Sequence, residues 1–207
     1  MIQSPRTEHW QSVYTSKKED EVSWFETNPE LSLSLIRAAT RGAPAAIIDI
    51  GGGASRLVDS LLAEGQSAVT VLDLSAAALE TARERLGTGS EDVTWVVSDV
   101  TTWEPDRLYD VWHDRAALHF LTEAADQQAY VDVLRAGLRP GGTAILATFA
   151  PDGPEKCSGL PVARHDAASL GALLGADFAL RETIRHTHTT PWGSEQRFQF
   201  SVFERRA

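Results

Sequence analysis

The 207-residue chain holds one cysteine, Cys157, so it can form no internal disulfide and no multi-thiolate metal site. It also lacks any apolar run approaching the roughly 20 residues that a membrane-spanning helix requires. Cationic residues are scarce: 19 Lys plus Arg stand against 29 Asp plus Glu, a formal net charge of −10. No basic run interrupts that balance. Binding to nucleic-acid phosphates rests on clustered cationic side chains, so this charge argues against it. The stretch Met1 to Trp10 carries Pro5, Arg6, Glu8 and His9 and has no apolar centre, unlike a signal peptide. The expectation is a cytoplasmic protein, monomer or homodimer, with neither nucleic acid nor membrane as partner.

The chain otherwise looks ordinary for a globular domain, with 43% hydrophobic and 23% charged residues and no internal repeat. A chain of this length buries roughly 70% of its unfolded surface without staples. Short apolar runs alternate with helical periodicity, which predicts a single α/β domain. Its sheet is expected to be seven-stranded and mostly parallel, with helices on both faces and a C-terminal antiparallel hairpin strand. The strands are expected at 45–50, 69–73, 93–97, 108–112, 143–149, 178–185 and 196–204. A helix carries Trp10, Val13 and Tyr14; Asn28-Pro29 starts a second that Gly42 ends. Ser75, Thr122 and Asp166 are expected to cap later helices, Pro140-Gly141-Gly142 to form a turn, and 151–161 to form a loop. Residues 1–42 are expected to be a helical cap over the site, and 43–207 the core.

The first strand runs into Gly51-Gly52-Gly53 and then a helix, a usual place for a nucleotide-like ligand in an open α/β sheet. A dinucleotide fingerprint requires a third glycine where this chain has Arg56, and no Gly-Lys-Ser/Thr follows to make a phosphate loop. The acid before the turn, Asp49, would repel a pyrophosphate. It suits S-adenosylmethionine, which carries a sulfonium, an ammonium and one carboxylate. Asp73 ends the second strand, where a carboxylate can accept hydrogen bonds from ribose hydroxyls, and Asp99-Val100 follows the third.

The segment Asp49-x-Gly51-x-Gly53 resembles the D/E-x-G-x-G stretch of class I S-adenosylmethionine-dependent methyltransferases. So do, in order, Asp73, Asp99-Val100, Tyr109-Asp110-Val111 and Leu138-Arg139-Pro140-Gly141-Gly142. The resemblance covers nearly the whole chain and implies a Rossmann-like fold. It assigns Asp49, Gly51, Gly53, Asp73, Leu74, Asp99 and Val100 to S-adenosylmethionine and its product S-adenosylhomocysteine. Trp10-x-x-x-Tyr14, Trp24-Phe25 and Asp114-Arg115 with Leu118 are similar to the elongation-factor and citrate-synthase lysine methyltransferases and their small bacterial relatives. In that group the early aromatics lie over the cofactor, which implies the same for Trp10, Tyr14 and Trp24; an aromatic wall attracts a sulfonium. Those enzymes have Asp-Lys-Gly-Thr-Leu where this chain has Asp114-Arg115-Ala116-Ala117-Leu118.

The catalytic candidates at the fourth strand's exit are Asp114, His119 and His113. Either histidine can serve as a general base or be a satisfied structural residue. Asp114 can orient the acceptor and touch the cofactor, or pair with Arg115 or Arg56. His186 and His188 share one strand face, which suits either a metal pair or a solvated face; no third ligand is evident, so no metal is expected. Cys157 and Trp192 sit in a loop and a turn near the expected acceptor side. The expected function is methyl transfer by in-line displacement to a small molecule. A protein lysine is the second acceptor class, and a non-catalytic S-adenosylmethionine-binding protein the third reading.

Overall fold

A computed structural model describes residues 4–207. The strands are β1 (Ala46–Ile50), β2 (Ala68–Asp73), β3 (Val93–Val97), β4 (Tyr109–Arg115), β5 (Leu138–Phe149), β6 (Lys156–Cys157), β7 (Leu160–Pro161), β8 (Phe178–Thr189) and β9 (Glu195–Arg205). Seven of them form one sheet in the order β3-β2-β1-β4-β5-β9-β8, while β6 and β7 make a separate two-stranded hairpin. Neighbours from β3 to β5 are parallel, and β9 runs antiparallel to both β5 and β8. The helices are α1 (Pro5–Ser16), α2 (Glu30–Thr40), α3 (Leu57–Ala63), α4 (Ala76–Leu86), α5 (Ala124–Gly137) and α6 (Ala167–Leu174).

Central strands buried on both sides read as continuous apolar runs, and β1 has five buried residues in a row. Alternate residues feed two cores. Ile47, Val69 and Val111 pack on one face with Ile36 of α2, Leu57 and Leu61 of α3 and Leu79 of α4. Ile48, Ile50 and Trp112 pack on the other with Tyr130, Val131 and Leu134 of α5 and Leu170 of α6. Strand order reverses between β1 and β4, and such a switch point leaves a crevice at the strands' carboxyl ends.

Several boundaries differ from expectation for identifiable reasons. Pro140-Gly141-Gly142 is a bulge inside β5: Tyr109 pairs with Leu138 and Val111 with Thr143, so four residues oppose one. The cap of α2 is Pro29, and that of α5 is Glu123 rather than Thr122, with no side-chain bond at either. Ser75 and Asp166 do cap, accepting from the backbone N–H groups of Ala78 and Ser169. Strand β8 extends to Thr189 because backbone pairing with β9 overrides its polar His-Thr-His-Thr run. Within the expected loop 151–161, Ser158 and Gly159 both have positive φ (49° and 79°), which suits a tight two-residue hairpin turn.

Candidate active site

A cleft of about 840 Å³, counting space open to solvent, lies at the C-terminal ends of β1, β2, β3 and β4. Its floor includes Gly51, Asp73, Leu74, Asp99 and Val100, and its walls include Trp10, Tyr14 and Trp24. Eight of the expected cofactor residues therefore gather at one cavity, from β1, β2, β3 and the N-terminal segment. The aromatics form one cluster: Trp10 and Trp24 lie edge to face at 5.7 Å, Trp10 and Phe120 at 4.8 Å. Trp24 Nε1–H donates to Tyr14 Oη over 3.3 Å, orienting both rings.

The glycine turn is obligatory on two grounds. Gly51 and Gly53 have φ of +66° and +45°, which favour glycine. Space is also absent: a Cβ at Gly51 would fall 2.7 Å from Ala117 Cβ, and one at Gly53 2.8 Å from Asp73 Oδ2. Gly52 is equally confined, since a Cβ there would fall 2.6 Å from Asp49 Oδ2. Arg56, at the position of a third glycine, does not crowd the helix. It swings out to pair with Glu19 and lies 5.5 Å over the Phe25 ring. Arg85 completes that cluster, bonding Glu19, Asp59 and the carbonyls of Ala54 and Ser55, and so holds the turn from behind.

Asp73 is the notable group on the floor. Burial raises its carboxyl to about 7; the Ser75 N–H opposes this, and the nearby Asp49 charge adds to it. Among the described residues it has no cationic partner, so its charge is compensated only by backbone N–H groups. Tyr14 is pushed up by burial and by Asp73, and stays a neutral phenol. Asp99 is held differently: it accepts from the Thr101 N–H and hydroxyl and pairs with Arg6 of α1 at 3.0 Å. Arg6, which also pairs with Asp126 at 3.1 Å, had no sequence signal beyond its charge.

The three catalytic candidates separate. Successive strand residues point to opposite faces, so His113 and Asp114 cannot both reach an acceptor, and neither lines the cleft. Asp114 lies on the α5 face, fully buried. It accepts from the N–H groups of Ala117 (2.8 Å) and Leu118 (3.1 Å) and from the Tyr130 hydroxyl (2.7 Å). It pairs with neither Arg115 nor Arg56; the expected acceptor or cofactor contact is replaced by a clamp on the turn after β4. Burial raises it to about 6. His113 lies on the α2 face against Asp49 and Ser32. Asp49 likewise misses the main cleft and borders a smaller one that shares Gly51, Trp24 and Arg115 with it.

Only His119 lines the cleft. Burial lowers it to about 3, with His165 and Arg115 adding to the effect, so it is a neutral imidazole packed on Phe120 and Phe149. A base this weak takes a proton only from an acidic acceptor.

Distant segments supply the rest of this end. Arg115 pairs with Glu26 at 3.0 Å, donates to the Trp24 carbonyl at 3.0 Å and lies 5.4 Å over the Phe198 ring. His188 sits 3.1 Å from Glu26 Oε1 and 2.7 Å from the Ser23 carbonyl, so it fastens the Trp24 segment to β8. His186 packs edge-on to Phe200. No cluster of three metal-ligating side chains occurs among the described residues. Cys157 lines the cleft, and burial pushes its thiol up to about 11, which keeps it protonated near neutral pH. Trp192 stays exposed in its turn, away from the cleft lining.

Comparison with known proteins points one way. Residues 47–142 match the family model described as a methyltransferase domain. The malonyl-[acyl-carrier protein] O-methyltransferase 1 of Ilyobacter polytropus is 30% identical over 104 residues, half of this chain and 37% of that protein. Nodulation protein S of Rhizobium tropici is 27% identical over 124 residues, 60% of this chain and 51% of that one. The matched segments thus span about half or less of these relatives' lengths. Among solved structures, 1,6-didemethyltoxoflavin-N1-methyltransferase of Burkholderia thailandensis superposes with a TM-score of 0.68 at 21% identity. That match covers 97% of this chain and 84% of the other, which holds 1,6-didemethyltoxoflavin and S-adenosylhomocysteine.

Proposed function

We propose that this chain, whose residues 47–142 match a methyltransferase domain and whose sheet has a Rossmann-like order, is an S-adenosylmethionine-dependent methyltransferase acting on a small molecule. The observation that carries this reading is Asp73, a buried acid raised to about 7 on the floor of an aromatic cleft with no cationic partner among the described residues. Such a group is costly in isolation and favourable once hydroxyl donors and a cationic ligand arrive. The fit extends along the sheet edge, where β3 and β2 bring Asp99 and Asp73 to the same cleft and Asp49 of β1 borders the adjoining one.

Asp99 and Val100 would hold the base, Asp73 and Leu74 the ribose, and Gly51, Gly53 and Asp49 the amino-acid end. Residues 1–42, described from residue 4, act as a cap: Trp10, Tyr14 and Trp24 wall the sulfur and exclude water. When bound, the donor supplies an electrophilic methyl group, which leaves for a nucleophile aligned opposite the sulfur. The protein's task is then positioning in a dry chamber, worth several kcal/mol of barrier. Phe120, Phe198 and the compensated Arg115–Glu26 pair shape the acceptor side. His119 offers a neutral hydrogen-bonding ring there.

The test is turnover with S-adenosylmethionine and two fractions of a cell extract, small molecules and proteins. We expect S-adenosylhomocysteine to form with the first, together with a metabolite heavier by one methyl group. Methyl-lysine in the protein fraction, or donor binding without turnover in either, would overturn the acceptor class or the activity respectively.

A further inference from the structure

One buried hydrogen-bonded chain remains without a role in this scheme. Asp49 and His113 are register partners across the parallel β1–β4 pair. His113 Nδ1 lies 2.7 Å from Asp49 Oδ1, and Nε2 lies 2.9 Å from Ser32 Oγ of α2. All three residues are at most 3% exposed. Serine, histidine and aspartate in this order resemble an activated nucleophile, but the surroundings do not support that chemistry. Ser32 sits within a helical turn, and the N–H groups of Gly51 and Gly52 are both given to the Leu72 carbonyl, so neither is free for an oxyanion.

The chain constrains Asp49 instead. Its Oδ2 lies against the glycine turn, where Gly52 has no room for a Cβ, and its Oδ1 is taken by His113. The Ser32 hydroxyl both donates and accepts, so it holds the ring in either tautomer. The smaller cleft beside them, about 360 Å³, continues from the main one at Gly51. Asp49 lines this smaller cleft, on the strand next to that of Asp73, close to where the two clefts share Gly51.

We propose that His113 and Ser32 are positioning residues for donor binding, holding the Asp49 carboxylate where it meets the ammonium-bearing amino-acid end of the donor. This rests on the donor-binding reading above. It assigns His113 to the donor rather than to proton transfer, and it ties α2 of the N-terminal segment to the glycine turn. Truncating the ring frees the carboxylate to rotate and leaves the nucleoside end of the cleft intact.

The experiment titrates wild type, His113→Leu, His113→Asn and Ser32→Ala with two ligands. One is S-adenosylhomocysteine; the other, 5′-methylthioadenosine, lacks the amino-acid end. We expect His113→Leu to weaken S-adenosylhomocysteine about tenfold or more, the scale of a hydrogen bond to a charged group, and 5′-methylthioadenosine less than about twofold. His113→Asn, whose amide N–H can reach Asp49, recovers part of the loss, and Ser32→Ala costs about threefold. Equal weakening of both ligands, or no weakening of S-adenosylhomocysteine, overturns the proposal. Should His113→Leu fail to fold, Ser32→Ala and His113→Asn carry the same comparison. Wild type that binds neither ligand would remove the donor-binding reading itself, a distinct result.

Discussion

At the β3–β2–β1 end of the cleft the acids Asp73 and Asp99 sit at strand ends and the turns that follow, and the N-terminal segment adds Arg6 and Tyr14. At the β4–β9 end the lining comes from four separated places: Trp24, the stretch from Arg115 to Leu121, Cys157, and Gln196 with Phe198. The charge differs as well. The first end keeps Asp73 buried without a cation among the described residues, whereas the second cancels Arg115 with Glu26 and holds His119 neutral. An end that is electrostatically incomplete calls for a cationic, hydroxyl-bearing ligand. The second end is largely apolar and its Arg115–Glu26 pair fastens walls together, while both ring nitrogens of His119 are buried there without a hydrogen-bond partner among the described residues.

The largest effect that would break this contrast is expected at Asp73. Asp73→Asn should weaken S-adenosylmethionine roughly 100-fold by calorimetric titration, the loss of two hydrogen bonds to a charged acceptor. Unchanged affinity would remove the ribose assignment. The same variant gives a signed pH test. The folded carboxyl lies near 7 and the unfolded one near 4, so its stabilising contribution is complete below about pH 4 and lost as pH rises through 7. Without ligand, wild type should therefore lose stability relative to Asp73→Asn between about pH 4 and 7, while its affinity for the cationic donor rises over the upper part of that range. Parallel stability curves for the two proteins would contradict the assignment of burial as the cause.

Asp114 sharpens the contrast from the other side, since it belongs to the fold and not to the cleft. Asp114→Ala leaves two backbone N–H groups and the Tyr130 O–H without an acceptor in the interior, although Tyr130 Oη still accepts from Trp112 Nε1–H. A loss of about 3 kcal/mol in urea unfolding is expected, with donor affinity of the folded fraction unchanged. A smaller effect is expected one turn on. Ala116, at the exit of β4, has φ of 73°, a conformation that costs an L-residue about 1 kcal/mol and glycine little. Ala116→Gly should raise the melting temperature by about 1–2 °C after glycine's extra chain entropy is deducted; a fall would show that the methyl group packs well enough to offset the strain.

Much of the donor end was legible because its signals are local. A carboxylate two residues before a glycine, a glycine two residues later, and acids at successive strand ends occupy fixed places once the strands are parallel. The strands themselves were legible where burial on both faces makes the apolar run continuous, as at 46–50, and poorly where pairing alone defines them, as at 186–189 and 156–161. Asp49 and Asp73 look alike in the sequence, each an acid near a strand's end. Only Asp73 reaches the main cleft: Asp49 pairs in register with Val71, two residues further back, and is held there by His113 of the neighbouring strand.

His113 and Asp114 show the limit most clearly. Adjacency in a strand puts them on opposite sides of the sheet, one toward α2 and one toward α5, and what waits there is decided by residues 81 and 16 positions away. The one-dimensional order of residues was enough to define the parallel α/β core, the glycine turn and its acids, since backbone sterics and strand alternation act over a few residues. Tertiary packing alone decided the roles of His113, Asp114, Arg115 and His119, because burial, the identity of a hydrogen-bond partner and the resulting charge state depend on segments that meet only after the chain has folded.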